Sequence, residues 1–151
     1  MSTPLRFTAA VSVALAAALS ACATPPANLD LSLDKPSAAG RYHVALSPPA
    51  APPAVNQLHS WTVSVTDAAG SPVTGARLAV DGGMPQHGHG LPTRPRVTRE
   101  IERGTYLVEG MKFSMPGWWD IRFDIQSAQG EDKVTFNTVV AAKSAGRWGA
   151  P

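Results

Sequence analysis

The chain has 151 residues, of which 44% are hydrophobic and 16% are charged, and its formal net charge is +2. This length and apolar fraction are typical of one globular domain and exclude a disordered chain. The charge is too small to imply nucleic acid as a partner, and none is expected. A single cysteine excludes an internal disulfide, a four-cysteine zinc site and a CxxC redox pair.

The N-terminus has the features of a bacterial export signal over residues 1–21. Arg6 precedes an uncharged run, residues 7–19, that is shorter than the roughly 20 residues needed to span a bilayer. The run leads into Leu-Ser-Ala-Cys22, which resembles the lipoprotein box of bacteria. This resemblance implies cleavage before Cys22, lipidation of that cysteine and a periplasmic protein anchored to a membrane. Ala23, where Asp would retain the protein in the inner membrane, implies sorting to the outer membrane.

The mature chain divides into three predicted parts. Residues 22–39 contain Pro25, Pro26 and Pro36 among small and polar residues, without helical or strand periodicity, and are predicted to form a flexible tether. Residues 40–142 are predicted to form the domain. Residues 143–151 are predicted to be a polar tail.

Within the domain, apolar residues recur at every second position, which predicts strands and no helix. The alternation is longest from Trp119 to Ile125, and turns containing glycine follow Asp67 and Ser127. About seven short strands of this kind are typical of an all-β, immunoglobulin-like antiparallel sandwich. The predicted strands lie within residues 42–46, 61–65, 76–80, 96–101, 106–108, 119–125 and 134–140.

The first candidate site is the segment 80–93, which contains His87 and His89. Its four glycines and two prolines predict a loop without regular structure. In an extended conformation, two histidines separated by one residue point the same way and are close enough to share one ion. Gly88 and Gly90 allow the backbone angles that chelation requires.

The methionines cluster with these histidines along the sequence. After Met1, the chain holds only Met84, Met111 and Met115. Thioethers are soft ligands that favour Cu(I), and imidazole binds both copper and zinc, so the set predicts copper rather than zinc. Met111 and Met115 can also be core-filling side chains, and His43 and His59 are interpreted as non-ligand histidines. Successive residues of a strand point to opposite faces, and Trp119 belongs to the apolar face. Trp118 is therefore predicted to lie on the outward face beside the site and to shield it from water.

The elements Met84-Pro-Gln-His-Gly-His89 and Phe113-Ser-Met-Pro-Gly-Trp118, within residues 61–140, resemble the FixH-like/YtkA-like family. This resemblance implies a small envelope β-sandwich that is linked with copper handling, with Met84, His87, His89 and Met115 lining one site. A lipoprotein signal replaces the transmembrane helix of the integral members.

Two functions follow as expectations. The first is a lipid-anchored periplasmic protein that captures copper and passes it to a periplasmic donor or acceptor protein. The alternative is a metal-independent interaction or assembly module of the cell envelope, with Trp118 and the histidine loop as its contact surface. The chain is not expected to be an enzyme, because Gly-x-Ser-x-Gly, a catalytic cysteine and His-Glu-x-x-His are all missing from its sequence.

Overall fold

The structure, a computed structural model, describes residues 24–142. The predicted signal, Cys22 and the predicted tail lie outside this range, and no helix within it is long and apolar enough to cross a membrane. Nine strands form the described domain: β1 (Asp34–Pro36), β2 (Tyr42–Ser47), β3 (His59–Asp67), β4 (Arg77–Met84), β5 (His89–Gly90), β6 (Arg96–Glu102), β7 (Thr105–Met111), β8 (Gly117–Ser127) and β9 (Gly130–Val140).

The strands form two antiparallel sheets that pack face to face. One sheet has the order β1-β2-β3-β7-β6, and the other has the order β5-β4-β8-β9. The prediction of an all-β antiparallel sandwich is therefore confirmed. The seven predicted strands correspond to β2, β3, β4, β6, β7, β8 and β9, and the two further strands have only three and two residues.

The core lies between the sheets and is built by the predicted alternation. On β8, Trp119, Ile121, Phe123 and Ile125 are buried, while the residues between them face outward. Opposite them, β2 and β3 bury their own alternate residues. Burial of each large apolar side chain contributes roughly 1.5–3 kcal/mol, so this interlayer contact dominates the stability of the domain.

The segment 67–80 connects the two sheets rather than forming a hairpin. Asp67 ends β3, and its Oδ1 atom accepts hydrogen bonds of 2.9 Å from the backbone N–H groups of Ala69 and Ser71. The chain then enters β4, which belongs to the other sheet. Val73 lies in this connection and is buried as part of the core.

The domain begins earlier than residue 40, so the predicted tether boundary is corrected. β1 pairs with β2 inside the stretch expected to be a flexible tether. Ser37 is buried, and its hydroxyl donates a 2.6 Å hydrogen bond to Asp132 on β9. Further upstream, the side chain of Asn137 donates to the carbonyl oxygen of Asp30 at 2.8 Å. Proline composition alone predicts an irregular segment, but β1 forms the edge of the sheet by pairing with β2, and an edge strand tolerates proline.

Candidate metal site at one end of the sandwich

The histidine segment forms a short hairpin, which corrects the prediction of an irregular loop. β4 continues through Gly82 and Gly83 to Met84, and the chain returns through β5 at His89. Between them, the carbonyl oxygen of Met84 accepts hydrogen bonds from the N–H groups of His87 at 3.0 Å and Gly88 at 2.9 Å. Gly88 has a φ of 67°, the left-handed conformation that this turn requires.

Two glycines that suggested a loop are strand residues placed where neighbouring backbones come close. A Cβ atom at position 82 would lie 2.5 Å from the carbonyl oxygen of Asp120, and one at position 83 would lie 2.5 Å from that of His89. Glycine inside a strand often marks such a close approach. Gly82 and Gly83 therefore do not mark a loop: they are strand residues at positions where a side chain would clash with a neighbouring carbonyl oxygen.

The hairpin brings the two candidate imidazoles together. The rings of His87 and His89 are stacked, with centroids 6.0 Å apart and an interplanar angle of 28°. Both residues are exposed, His87 in the turn and His89 on β5. His89 Nδ1 lies 3.1 Å from the carbonyl oxygen of Gly90, which leaves its Nε2 atom and the ring of His87 exposed to an ion.

Met84 lies at the base of the hairpin and connects it to the core. It is directly opposite His89 in the antiparallel pair, so both side chains project to the same side of the hairpin. Met84 is 1% exposed, and a Cβ atom at Gly117 would approach its Cε at 2.9 Å. On the same side, the ring of His89 meets the indole of Trp119 at a centroid distance of 5.6 Å.

The other two candidate thioethers lie in different environments. Met115 is 36% exposed in the loop between β7 and β8, and its carbonyl oxygen accepts a 3.1 Å hydrogen bond from the indole N–H of Trp119. That bond ties the Met115 loop to the residue that contacts His89. Met111 is 1% exposed at the end of β7, where it is paired with His59 of β3. Both residues belong to the five-stranded sheet, whereas the histidine hairpin belongs to the four-stranded sheet. Met84 and Met111 are thus both core residues, but only Met84 is paired with a candidate histidine, and Met115 lies in a loop whose backbone is bonded to Trp119.

Among the described residues, the ring contacts of His87 and His89 do not include Trp118, which lies on the outward face as its parity predicted. Its indole N–H donates a 2.9 Å hydrogen bond to Asn137 on β9. The indole beside the candidate site is that of Trp119, which belongs to the core. The sequence signal that could have identified Trp119 is the short loop before it. Only a few residues separate Met115 from Trp119, and β8 pairs with β4, the strand that leads into the hairpin.

His59 is unsuited to metal binding in its present tautomer, which agrees with its interpretation as a non-ligand. Its Nδ1 atom accepts a 2.7 Å hydrogen bond from the indole N–H of Trp61, so the neutral ring carries its proton on Nε2. Burial lowers the pKa of His59 and favours this neutral form. The Nε2 atom is buried without a hydrogen-bond partner. Phe113 packs against the ring at a centroid distance of 5.1 Å.

An ion network lies on the outward side of the same strands. Arg122 donates to Asp81 at 2.9 Å and to Asp120 at 2.7 Å. Its hydrogen bond lowers the pKa of Asp81, and the same contact raises the pKa of Arg122. Asp120 Oδ1 is buried without a partner. These groups and the hairpin border an open cleft of about 340 Å³, lined by Gly82, Gly83, Met84, Pro85, Gly88, His89, Gly90, Asp120 and Arg122.

The candidate metal donors at this end are few: two imidazoles and the thioether of Met84. Within residues 24–142, no group of three or more His, Cys, Asp or Glu side chains is placed to hold a metal ion. A structural zinc site usually needs four nitrogen, sulfur or carboxylate ligands. Imidazole and thioether are donor types that Cu(I) accepts, and among the described residues Met84 is the methionine paired with a candidate histidine.

The fold and the site define a small β-sandwich domain that carries a histidine and methionine cluster at one end. Comparison with protein families identifies it further: the YtkA-like family matches residues 37–124, and the chain belongs to that family. Membership suggests a domain of the periplasm or cell envelope. The matched range includes the hairpin, Met111, Met115 and β8 as far as Asp124. No curated protein matches the chain.

Proposed function

We propose that this protein is a lipid-anchored envelope protein that binds copper through the histidine hairpin and passes it to a partner. The observation that carries this proposal is the stacked pair of His87 and His89 above buried Met84, in a hairpin directed towards Trp119. The imidazoles would be the first ligands to capture an ion, and the thioethers of Met84 and Met115 would favour Cu(I). Met111 would join only after the core rearranges.

The exposure of the site supports transfer rather than storage. His87 and His89 are exposed, and Met115 lies at the surface of an adjoining loop. A partner can therefore replace one ligand at a time, whereas a closed four-ligand cage retains its metal. The partner would be a copper donor or acceptor of the same compartment. Anchoring at Cys22 and sorting to the outer membrane are parts of the same proposal.

The test is a copper titration of the protein from residue 23 onward, without a histidine tag. Cu(I) and Cu(II) affinities are measured by competition for the wild type and for the His87→Ala/His89→Ala variant. The variant should bind at least about tenfold more weakly, which corresponds to about 1.4 kcal/mol. His43→Ala is the matched control, because His43 is exposed on β2 and pairs with Asp34. Equal affinities for the wild type and the double variant would refute the proposal.

The metal-independent alternative loses part of its basis in this structure. It relied on Trp118 as an exposed aromatic contact, and that side chain is half-buried with its N–H group bonded to Asn137. A partner that remains bound after chelation and in the double-histidine variant would nevertheless favour the alternative. The same titration and binding assays therefore separate the two functions.

A further inference from the structure

We infer that the end of the sandwich carrying the histidine hairpin lies against the lipid surface to which the chain is anchored. This end, called the His end below, comprises the loops at residues 48–58, 85–88, 91–95 and 112–116. The inference rests on the lipid anchor of the proposed function and does not depend on its copper site. It assigns the domain an orientation and names a lipid surface as the contact of this end.

The first argument is the path of the N-terminal segment. The side chain of Gln86, in the hairpin turn, donates a 2.9 Å hydrogen bond to the carbonyl oxygen of Thr24. From there the chain passes Asn137, which bonds to the carbonyl oxygen of Asp30, and reaches β1 at Asp34. The segment therefore runs from the His end along the domain, and its upstream end is beside the histidines.

The second argument is the reach of the chain. Thr24 is two residues after Cys22, and two extended residues span at most about 7 Å. If Cys22 carries the lipid, the membrane surface must come within a short distance of Gln86. The opposite end of the sandwich lies about 30 Å away, since β3 has nine residues that rise about 3.3 Å each. Because Thr24 is bonded to the hairpin and lies only two residues after Cys22, a lipid on Cys22 can reach the bilayer only if the His end is the nearer one.

The third argument is the chemistry of the two ends. The four loops of the His end contain Arg94 and Lys112 and no acidic residue. Among the described residues, large exposed apolar side chains at this end are Leu58 at 69% and Met115 at 36%. The loops of the opposite end, residues 37–41, 68–76, 103–104 and 128–129, contain Arg41 and Arg103 and no acidic residue either, so charge does not distinguish the two ends. The difference is in the loops' apolar side chains: Leu58 and Met115 are exposed in loops of the His end, whereas Ile101 near the opposite end lies on a strand. Exposed apolar side chains in loops can enter the interface of a bilayer.

The experiment uses the full-length lipidated protein in vesicles of phosphatidylcholine and phosphatidylglycerol, with a chelator present so that no metal contributes. An acylated Cys22 has no free thiol, so one introduced cysteine can be labelled with a fluorophore. Leu58→Cys labels the His end, and Ala69→Cys labels the opposite end. Quenching by nitroxide-labelled head groups should be several-fold stronger at position 58 than at position 69.

A second pair protects the test against a variant that fails to fold. Ser114→Cys and Ala128→Cys probe the same two ends in the loops that precede and follow β8. They should show the same difference in quenching. Equal quenching at both ends, or stronger quenching at positions 69 and 128, would overturn the inference. A mature Cys22 peptide that carries no lipid by mass spectrometry would also overturn it. Because the readout needs no copper, failure of the copper titration and failure of this orientation are distinguishable.

Discussion

The imidazole ring of His89 and the indole ring of Trp119 meet edge to face, with centroids 5.6 Å apart and an interplanar angle of 69°. The contact joins an exposed hairpin residue to a side chain that is completely buried. Trp119 also donates its indole N–H to the Met115 carbonyl oxygen. One core residue therefore contacts two of the three segments that supply candidate ligands. This makes Trp119 a local reporter of events at the hairpin.

Copper(II) bound at the hairpin should quench the fluorescence of Trp119 more than that of Trp118. Trp119→Phe should therefore remove most of the copper-dependent quenching, whereas Trp118→Phe should retain it. The physical reason is distance: the Trp119 ring is in contact with His89, and the Trp118 indole bonds to Asn137 on the outer face. Intrinsic fluorescence during a Cu(II) titration measures both variants. Undiminished quenching in Trp119→Phe would place the bound ion elsewhere.

The two buried methionines should differ in their effect on Cu(I) binding. Met84→Leu should weaken Cu(I) binding about tenfold, because it removes the thioether beneath the hairpin. Met111→Leu should leave the affinity unchanged, since Met111 is paired with His59 in the five-stranded sheet and the hairpin belongs to the four-stranded sheet. Each substitution nearly conserves volume and should cost less than about 1.5 kcal/mol of stability. Competition with a Cu(I) chelator measures the affinities, and equal losses in both variants would contradict this assignment.

Gly117→Ala should damage the site through the core. Gly117 has a φ of 123°, and a Cβ atom there would approach the Cε atom of Met84 at 2.9 Å. The substitution combines an unfavourable backbone conformation with displacement of Met84, and should cost about 1–3 kcal/mol. Gly75→Ala is the matched control: its φ is 66°, a Cβ atom there would meet nothing within 4 Å, and it precedes β4 at the end of the sandwich opposite the hairpin.

Denaturant unfolding and Cu(I) competition distinguish the two glycine variants. Gly75→Ala should lose about 1 kcal/mol or a little more from backbone strain alone. Only Gly117→Ala should also disturb Met84 and thereby lower the affinity for Cu(I). A normal affinity in a destabilised Gly117→Ala protein would show that the position of Met84 does not matter for binding.

The sandwich could be predicted from the sequence because each of its long strands buries one face. The alternation from Trp119 to Ile125 indicated both the strand and the buried face of β8, and the structure agrees. β1 was missed because a three-residue edge strand buries little and contains Pro36, so it leaves no periodic signal. Its pairing depends on the neighbouring strand, which no local pattern reveals.

The candidate site was only partly predictable, for a different reason. Local spacing predicted that His87 and His89 lie near one another, and their rings are 6.0 Å apart. Which methionine joins them depends on how the two sheets pack. Met84 is adjacent to the histidines through the hairpin, while Met111 belongs to the other sheet, and a count of methionines cannot separate these cases. Trp118 and Trp119 differ by one position, and only the contact with His89 shows which is beside the site.

The pH dependence of stability should reveal how firmly the N-terminal segment is docked. Burial of the Asp132 carboxylate opposes ionisation, but hydrogen bonds from Ser37, Ala39, Lys133 and Arg41 outweigh it and lower its pKa to about 2. In the unfolded chain an aspartate has a pKa of about 3.9. Since the folded pKa is the lower one, the carboxylate stabilises the domain above the unfolded value, and this contribution is lost as the pH falls towards 2.

Asp132→Asn should therefore unfold at lower denaturant concentration than the wild type at pH 7, with a difference that narrows between about pH 5 and pH 2. Asp124→Asn is the control, because Asp124 is exposed on β8 and accepts no side-chain hydrogen bond within the described residues. Urea unfolding of both variants across this pH range measures the effect. A difference that stays constant with pH would mean that Asp132 acts through its shape and not through its charge. Such a result would remove the electrostatic reason for the docking of residues 37–41 onto β9.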